Sequence, residues 1–203
     1  MGRTSDAKER LLKSAMELMH DQGFGAVGVS EICAHAGVKK GSFYHFFDSK
    51  QALALEVVES FRKGSRDFME SFLLGTAPPL ERLAAYLDGI YGYHLSSCEV
   101  LGKQTGCPLA NLALEMSTQD KTIRLSVLQA FEGQLALIES VLREASRAGD
   151  LPSEIDPRSG AETVLALVEG MVMFSKLQDS PEPLRNLKSQ VFRCLGLAIT
   201  AVA

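Results

Sequence analysis

At 203 residues, 46% hydrophobic and 23% charged, the chain has an ordinary globular composition and enough length to bury a sizeable core. It has no run of 18 apolar residues to span a membrane, no leader before a small-residue cleavage site, and no tryptophan to suit a carbohydrate-binding surface, so a cytoplasmic protein is expected. The net charge of −4 is uneven: residues 1–63 carry nine Lys and Arg against eight Asp and Glu, a net of +1, and the remainder carries −5. An acidic body with a locally basic end suits a protein that touches phosphate with one surface only.

Apolar residues recur at three- and four-residue spacing nearly throughout, and strand signals are missing, so the fold class is all-α. The first helix starts at Asp6, with Glu9 completing a capping-box-like pair, carries the stripe Leu11, Leu12, Ala15, Leu18 and Met19, and stops at Gly23. Two short helices follow, Ser30–Ala36 closed by Gly37 and Lys40–Phe47 closed by Asp48. Asp48 is expected to cap a long helix whose stripe is Leu55, Val58, Phe61, Ser65, Phe68 and Phe72, running toward Gly75 and the Pro78-Pro79 break. Beyond the break come Leu80 to about Ser97, Pro108–Ser117, Lys121–Ala148, Pro157–Gln178, and a last helix from about Glu182 to the C-terminus. The expected organisation is residues 1–50 as one domain and 51–203 as another.

The last two helices are apolar on more than one face. Val164, Leu165, Leu167, Val168, Met171, Val172, Met173 and Phe174 nearly circle the first of them. In the second, Leu184, Leu187, Val191, Leu195, Ala198 and Val202 form a seam, with Phe192, Leu197 and Ile199 beside it. Helices apolar all round must be covered on all sides, and pairing across a two-fold axis into a four-helix bundle does so economically. A homodimer is expected there.

The stretch Val29–Lys50, VSEICAHAGVKKGSFYHFFDSK, has the dimensions of a helix-turn-helix. Gly37 permits the positive φ of a sharp turn, Ile32 and Val38 can join the two helices, and Phe43 and Phe47 read as core anchors. The second helix would lie in the major groove. There Lys39 and Lys40 can meet phosphate or guanine, Gly41 permits close backbone approach, Ser42 offers a short donor, and Tyr44 and His45 can reach a phosphate or base. Ser30 opens the preceding helix, and Lys50 stands in the first turn of the next, beside amides that attract phosphate.

The string AGVKKGSFYHFFDSK resembles the signature of the tetracycline-repressor (TetR) family of transcriptional regulators: Ala-Gly-Val, a turn, Gly-Ser/Thr-Phe/Leu-Tyr, an aromatic pair, and a Ser-Lys opening the next helix. The likeness covers about residues 6–60. It implies a dimeric repressor that binds a palindromic double-stranded operator through an N-terminal three-helix domain and leaves it when a small molecule acts on a helical C-terminal domain. Two positions depart from the pattern. Gly28 stands where a capping Thr is usual, and Lys39 where Ser or Pro is common.

Four cysteines, Cys33, Cys98, Cys107 and Cys194, lie far apart with no zinc spacing, so reduced thiols are expected and neither a metal nor a cofactor is called for. Cys33 and Cys194 lie on apolar stripes and read as core thiols. Cys107 falls between Gly106 and Pro108, and Pro108 fits the first helical position, which puts Cys107 at an N-cap where free amides stabilise a thiolate. The string Gly-Cys-Pro-Leu-Ala-Asn-Leu also resembles a TetR branch that answers electrophiles or oxidants through this cysteine. Tyr91, Tyr93 and His94 on the preceding helix, and Lys176 in the apolar dimer helix, are the candidate companions of Cys107. Two other readings stand beside this one. A reversible ligand would leave Cys107 structural. A cysteine enzyme would use His94 as base, but no orienting third group or oxyanion-hole loop is recognisable.

Overall fold

Helix follows helix in the computed structural model, which describes residues 3–197 and the side chains from Asp6 onward. The elements are α1 (Arg3–Gln22), α2 (Val29–Ala36), α3 (Lys40–Phe46), α4 (Lys50–Leu73), α5 (Pro79–Leu101), α6 (Pro108–Met116), α7 (Lys121–Ala148), α8 (Pro157–Leu177), a 3-10 turn (Glu182–Asn186) and α9 (Leu187–Cys194). No strand occurs among the described residues.

Local chemistry sets the boundaries. Gly37, at φ 62°, ends α2 in a left-handed cap in which the Val38 amide returns to Cys33 O at 2.9 Å. Asp156 caps α8 by accepting from the Ser159 amide at 2.9 Å, ahead of Pro157. Three expectations are corrected. Helix α1 begins at Arg3, ahead of Asp6. The cap of α4 is Ser49 rather than Asp48: its Oγ accepts from the Ala52 amide at 3.0 Å, and its carbonyl accepts from Leu53. The last helix is not continuous, since a 3-10 turn precedes it and left-handed Gly196, at φ 65°, follows Cys194. Ala198, Ile199 and Val202 lie outside the described residues.

The chain forms two compact units. One runs up to Gly64 and includes Pro108–Ala130; the other comprises Ser65–Cys107 and the residues from Phe131 onward. In the first, Leu11, Ala15, Ile32, Phe43, Phe47 and Leu53 share one core, so the apolar stripe of α1 and both aromatic anchors of α3 are fully used. The second has its own larger core, drawn from α4, α5, α7, α8 and α9 and including Leu83, Leu87, Ile138, Leu142, Val164 and Leu187. Buried Arg82 ties it together, donating to Leu73 O, to Ala77 O at 2.9 Å and to Glu144. Helix α7 is long and apolar enough to pass for a membrane span by composition. Its Ile138, Val141, Leu142 and Ala145 are instead buried in the second core.

Candidate DNA-reading surface and sensor site

In the first unit, the burial of Phe43 and Phe47 turns the rest of α3 outward. Lys39, Lys40, Gly41, Tyr44 and His45 are exposed, as is Ser30 on α2, while Ser42 is half-buried. Tyr44 is 53% exposed although its ring meets Phe43 edge-on. A β-carbon added at Gly41 would meet nothing within 4 Å. Packing within the chain therefore gives no reason for a helix-weakening glycine. The α2 cap, Gly28, makes no side-chain hydrogen bond, as its lack of a hydroxyl requires.

Lys50 is held more tightly than a solvated lysine. Its ammonium donates to Phe24 O and lies 4.1 Å from the Phe24 ring centroid. Burial lowers its pKa, and the nearby Glu115 carboxylate opposes that shift. Glu115, on α6, also accepts from the backbone amides of Phe24 at 2.8 Å and Gly25 at 2.5 Å. The turn between α1 and α2 is thus gripped by one carboxylate, and the same turn engages the expected phosphate ligand. A phosphate reaching Lys50 must compete with these contacts. Sequence reasoning missed Glu115 because nothing near it in sequence marks it out. A small cavity beside the grip, lined by His20, Phe24, Phe61, Asn111 and Leu112 among others, has room for little more than a water.

In the second unit Cys107 is half-buried against the core, preceded by Gly106 at φ 77° and followed directly by α6. Its thiol donates to the carboxyl of Glu169, on α8. Burial pushes Glu169 up to about 7, and its Oε2 is enclosed without a hydrogen-bond partner. The phenol of Tyr86, 4% exposed on α5, lies close enough that the charges of Glu169 and Cys107, added to burial, raise its pKa far above the usual range. Glu169 and Tyr86 are therefore the groups gathered at Cys107, and sequence reasoning named neither. The available signal was a lone acid in the apolar run Val168-Glu169-Gly170-Met171.

The expected companions are placed as follows. His94 is buried, its Nδ1 3.1 Å from Gln104 Oε1, while Gln104 Nε2 donates to His94 O at 2.9 Å; burial lowers its pKa. Tyr91 lies under the Arg185 guanidinium, 5.2 Å from ring centroid to carbon, and Tyr93 packs on Phe68 with 58% of its surface exposed. Lys176 is exposed in the last turn of α8. The segment carrying Cys107 is anchored at Gln104, whose amide donates to Asp179 Oδ1 at 2.7 Å. Cys33 is buried as expected, whereas Cys194 is exposed, a correction: it is the last residue of α9, and Leu187 and Val191 on the same helix are buried while it is not. No group of three or more His, Cys, Asp or Glu is placed to hold a metal among the described residues.

Residues 11–57 match the family model for bacterial regulatory proteins of the tetR family, and residues 79–191 match that for the tetracyclin repressor-like C-terminal domain. Transcriptional regulator AcuR of Cereibacter sphaeroides is 30% identical over 89% of this chain and 81% of its own. HTH-type transcriptional repressor NemR of Escherichia coli K12 is 28% identical over 92% of each chain. Among solved structures, regulatory protein TetR from Rhodobacter sphaeroides superposes with a TM-score of 0.82 at 29% identity, covering 92% of this chain and 97% of that one. The reduced form of E. coli NemR gives 0.78 at 26% identity, covering 96% of this chain and 100% of that one. These relatives are regulators, so the enzyme reading falls. The chain belongs to the TetR family of transcriptional regulators.

Proposed function

We propose that this regulator is a cytoplasmic homodimeric repressor that leaves a palindromic operator when a reactive electrophile or oxidant acts on Cys107. Exposed Lys39, Lys40, Gly41, Ser30, Tyr44 and His45, with half-buried Ser42 and Lys50, form the DNA-facing set. The outward Met173, Phe174 and Leu177 of α8, 46%, 48% and 72% exposed, are an apolar stripe that a second copy can cover. The NemR structure is described as a reduced form, which favours a redox-active thiol in a relative of similar length.

One observation carries the reading. Cys107 directly precedes α6, and α6 bears Glu115, which grips the turn that holds Lys50. An adduct on a half-buried thiol needs space, and moving the head of a nine-residue helix moves that grip. In a dimer, the two recognition helices must sit about one DNA turn apart, so a small displacement suffices to spoil the fit. The coupling required is about 1–3 kcal/mol for a modest switch.

A second reading, a reversible ligand with Cys107 structural, draws support from Glu169, since a carboxylate beside the thiol works against a standing thiolate. Titrating operator-bound wild type and Cys107→Ser with a quinone separates the two. Release by wild type alone supports the thiol reading; identical behaviour of both proteins removes it.

A further inference from the structure

We propose that Glu169 is the proton acceptor for Cys107 when the thiol adds to an electrophile. The inference rests on the reading that Cys107 is the residue acted upon. Three titratable side chains from separate elements converge: Cys107 ahead of α6, Glu169 on α8 and Tyr86 on α5. The thiol already points its proton at Glu169, and the enclosed Oε2 has no donor to occupy it. Leaving an acceptor unsatisfied at depth costs stability, so packing alone does not favour a carboxyl there. A proton acceptor that begins hydrogen-bonded to the nucleophile is what activates a thiol lacking a standing thiolate. Glu169 titrates near 7, in the range where a carboxyl both takes and returns a proton.

The step balances within the site. With an α,β-unsaturated carbonyl probe, Cys107 Sγ forms a bond to the β-carbon as its proton passes to the Glu169 carboxylate. The electrons of the C=C bond move to the α-carbon as an enolate. Glu169 then returns the proton to that carbon. The product is a thioether, the carboxylate is regenerated, nothing is oxidised or reduced, and no group leaves. Tyr86, with its pKa far above the usual range, stays protonated throughout and can donate to the enolate oxygen.

The test uses the purified full-length protein and methyl vinyl ketone. The second-order rate of alkylation at Cys107 is followed by peptide mass spectrometry from pH 5 to 10, in wild type, Glu169→Gln and Glu169→Asp. In wild type the rate is expected to rise through an inflection near 7. In Glu169→Gln it falls about a hundredfold at pH 7, and the inflection moves up toward that of an ordinary thiol, about 8.5. Glu169→Asp, melted alongside to verify folding, keeps the low inflection at an intermediate rate. An unchanged or faster rate in Glu169→Gln overturns the proposal, because the carboxylate would then only be repelling the thiolate; so does a Cys107 that wild type leaves unalkylated. Alkylation with the expected profile but without operator release supports the Glu169 assignment and overturns instead the reading on which it rests.

Discussion

In the first unit the outward residues of the recognition element are contiguous in sequence, Lys39 to His45, set on a frame whose anchors, Phe43 and Phe47, lie among them. In the second, the groups at Cys107 come from separate helices, half-buried or enclosed, and one of them carries an unsatisfied oxygen. A surface that meets a polyanion works with side chains that remain solvated, so it adds little strain to the fold. The site proposed to activate a thiol withdraws its groups from water, which costs stability.

Removing the frame gives the largest expected effect. Phe43→Ala should destabilise the first core by about 3–5 kcal/mol in urea denaturation and abolish operator binding. Should the variant still bind, the recognition helix does not depend on that anchor. Next comes the enclosed carboxyl. Burial raises the Glu169 pKa from 4.5 to about 7, so the folded state holds that proton more tightly than the unfolded chain does. Its contribution is complete below the unfolded value and is lost as pH rises through 7. Glu169→Gln is therefore expected to be more stable than wild type at pH 8 by about 1–3 kcal/mol, with little difference at pH 4.5. Equal stability at both pH values would place the oxygen in water.

On the surface, Lys39→Ala with Lys40→Ala should leave melting within about 0.5 kcal/mol of wild type while lowering the salt dependence of operator binding by nearly one unit of slope per lysine. An unchanged slope would make the pair a solvated edge. The smallest effect belongs to Gly41→Ala, which should stabilise α3 by about 0.5–1 kcal/mol and weaken operator binding. Tighter binding would mean that no DNA backbone approaches that position.

What was legible in the sequence follows the same division. Helix periodicity, the left-handed turn at Gly37 and the aromatic anchors are local signals, and they gave α2 and α3 almost to the residue. The cap of α4 moved by one residue because Asp48 and Ser49 are both competent caps and only the geometry chooses between them. His94 was placed beside Cys107 by proximity along the chain, whereas tertiary packing paired it with Gln104 and brought Glu169 to the thiol. Cys194 looked like a core thiol because it continues the stripe of Leu187 and Val191; it is the last residue of α9, and whether a helix end is covered depends on tertiary packing that periodicity does not report.

Asp179 gives a warning to anyone engineering the protein for robustness. It adopts φ 47°, the one left-handed non-glycine among the described residues, so Asp179→Gly is the textual choice of a stabilising design. Yet the same carboxylate restrains the Gln104 amide, three residues ahead of Cys107. A glycine there would relax the backbone and untie the segment that carries Cys107, trading a firmer scaffold for a looser hold on the thiol.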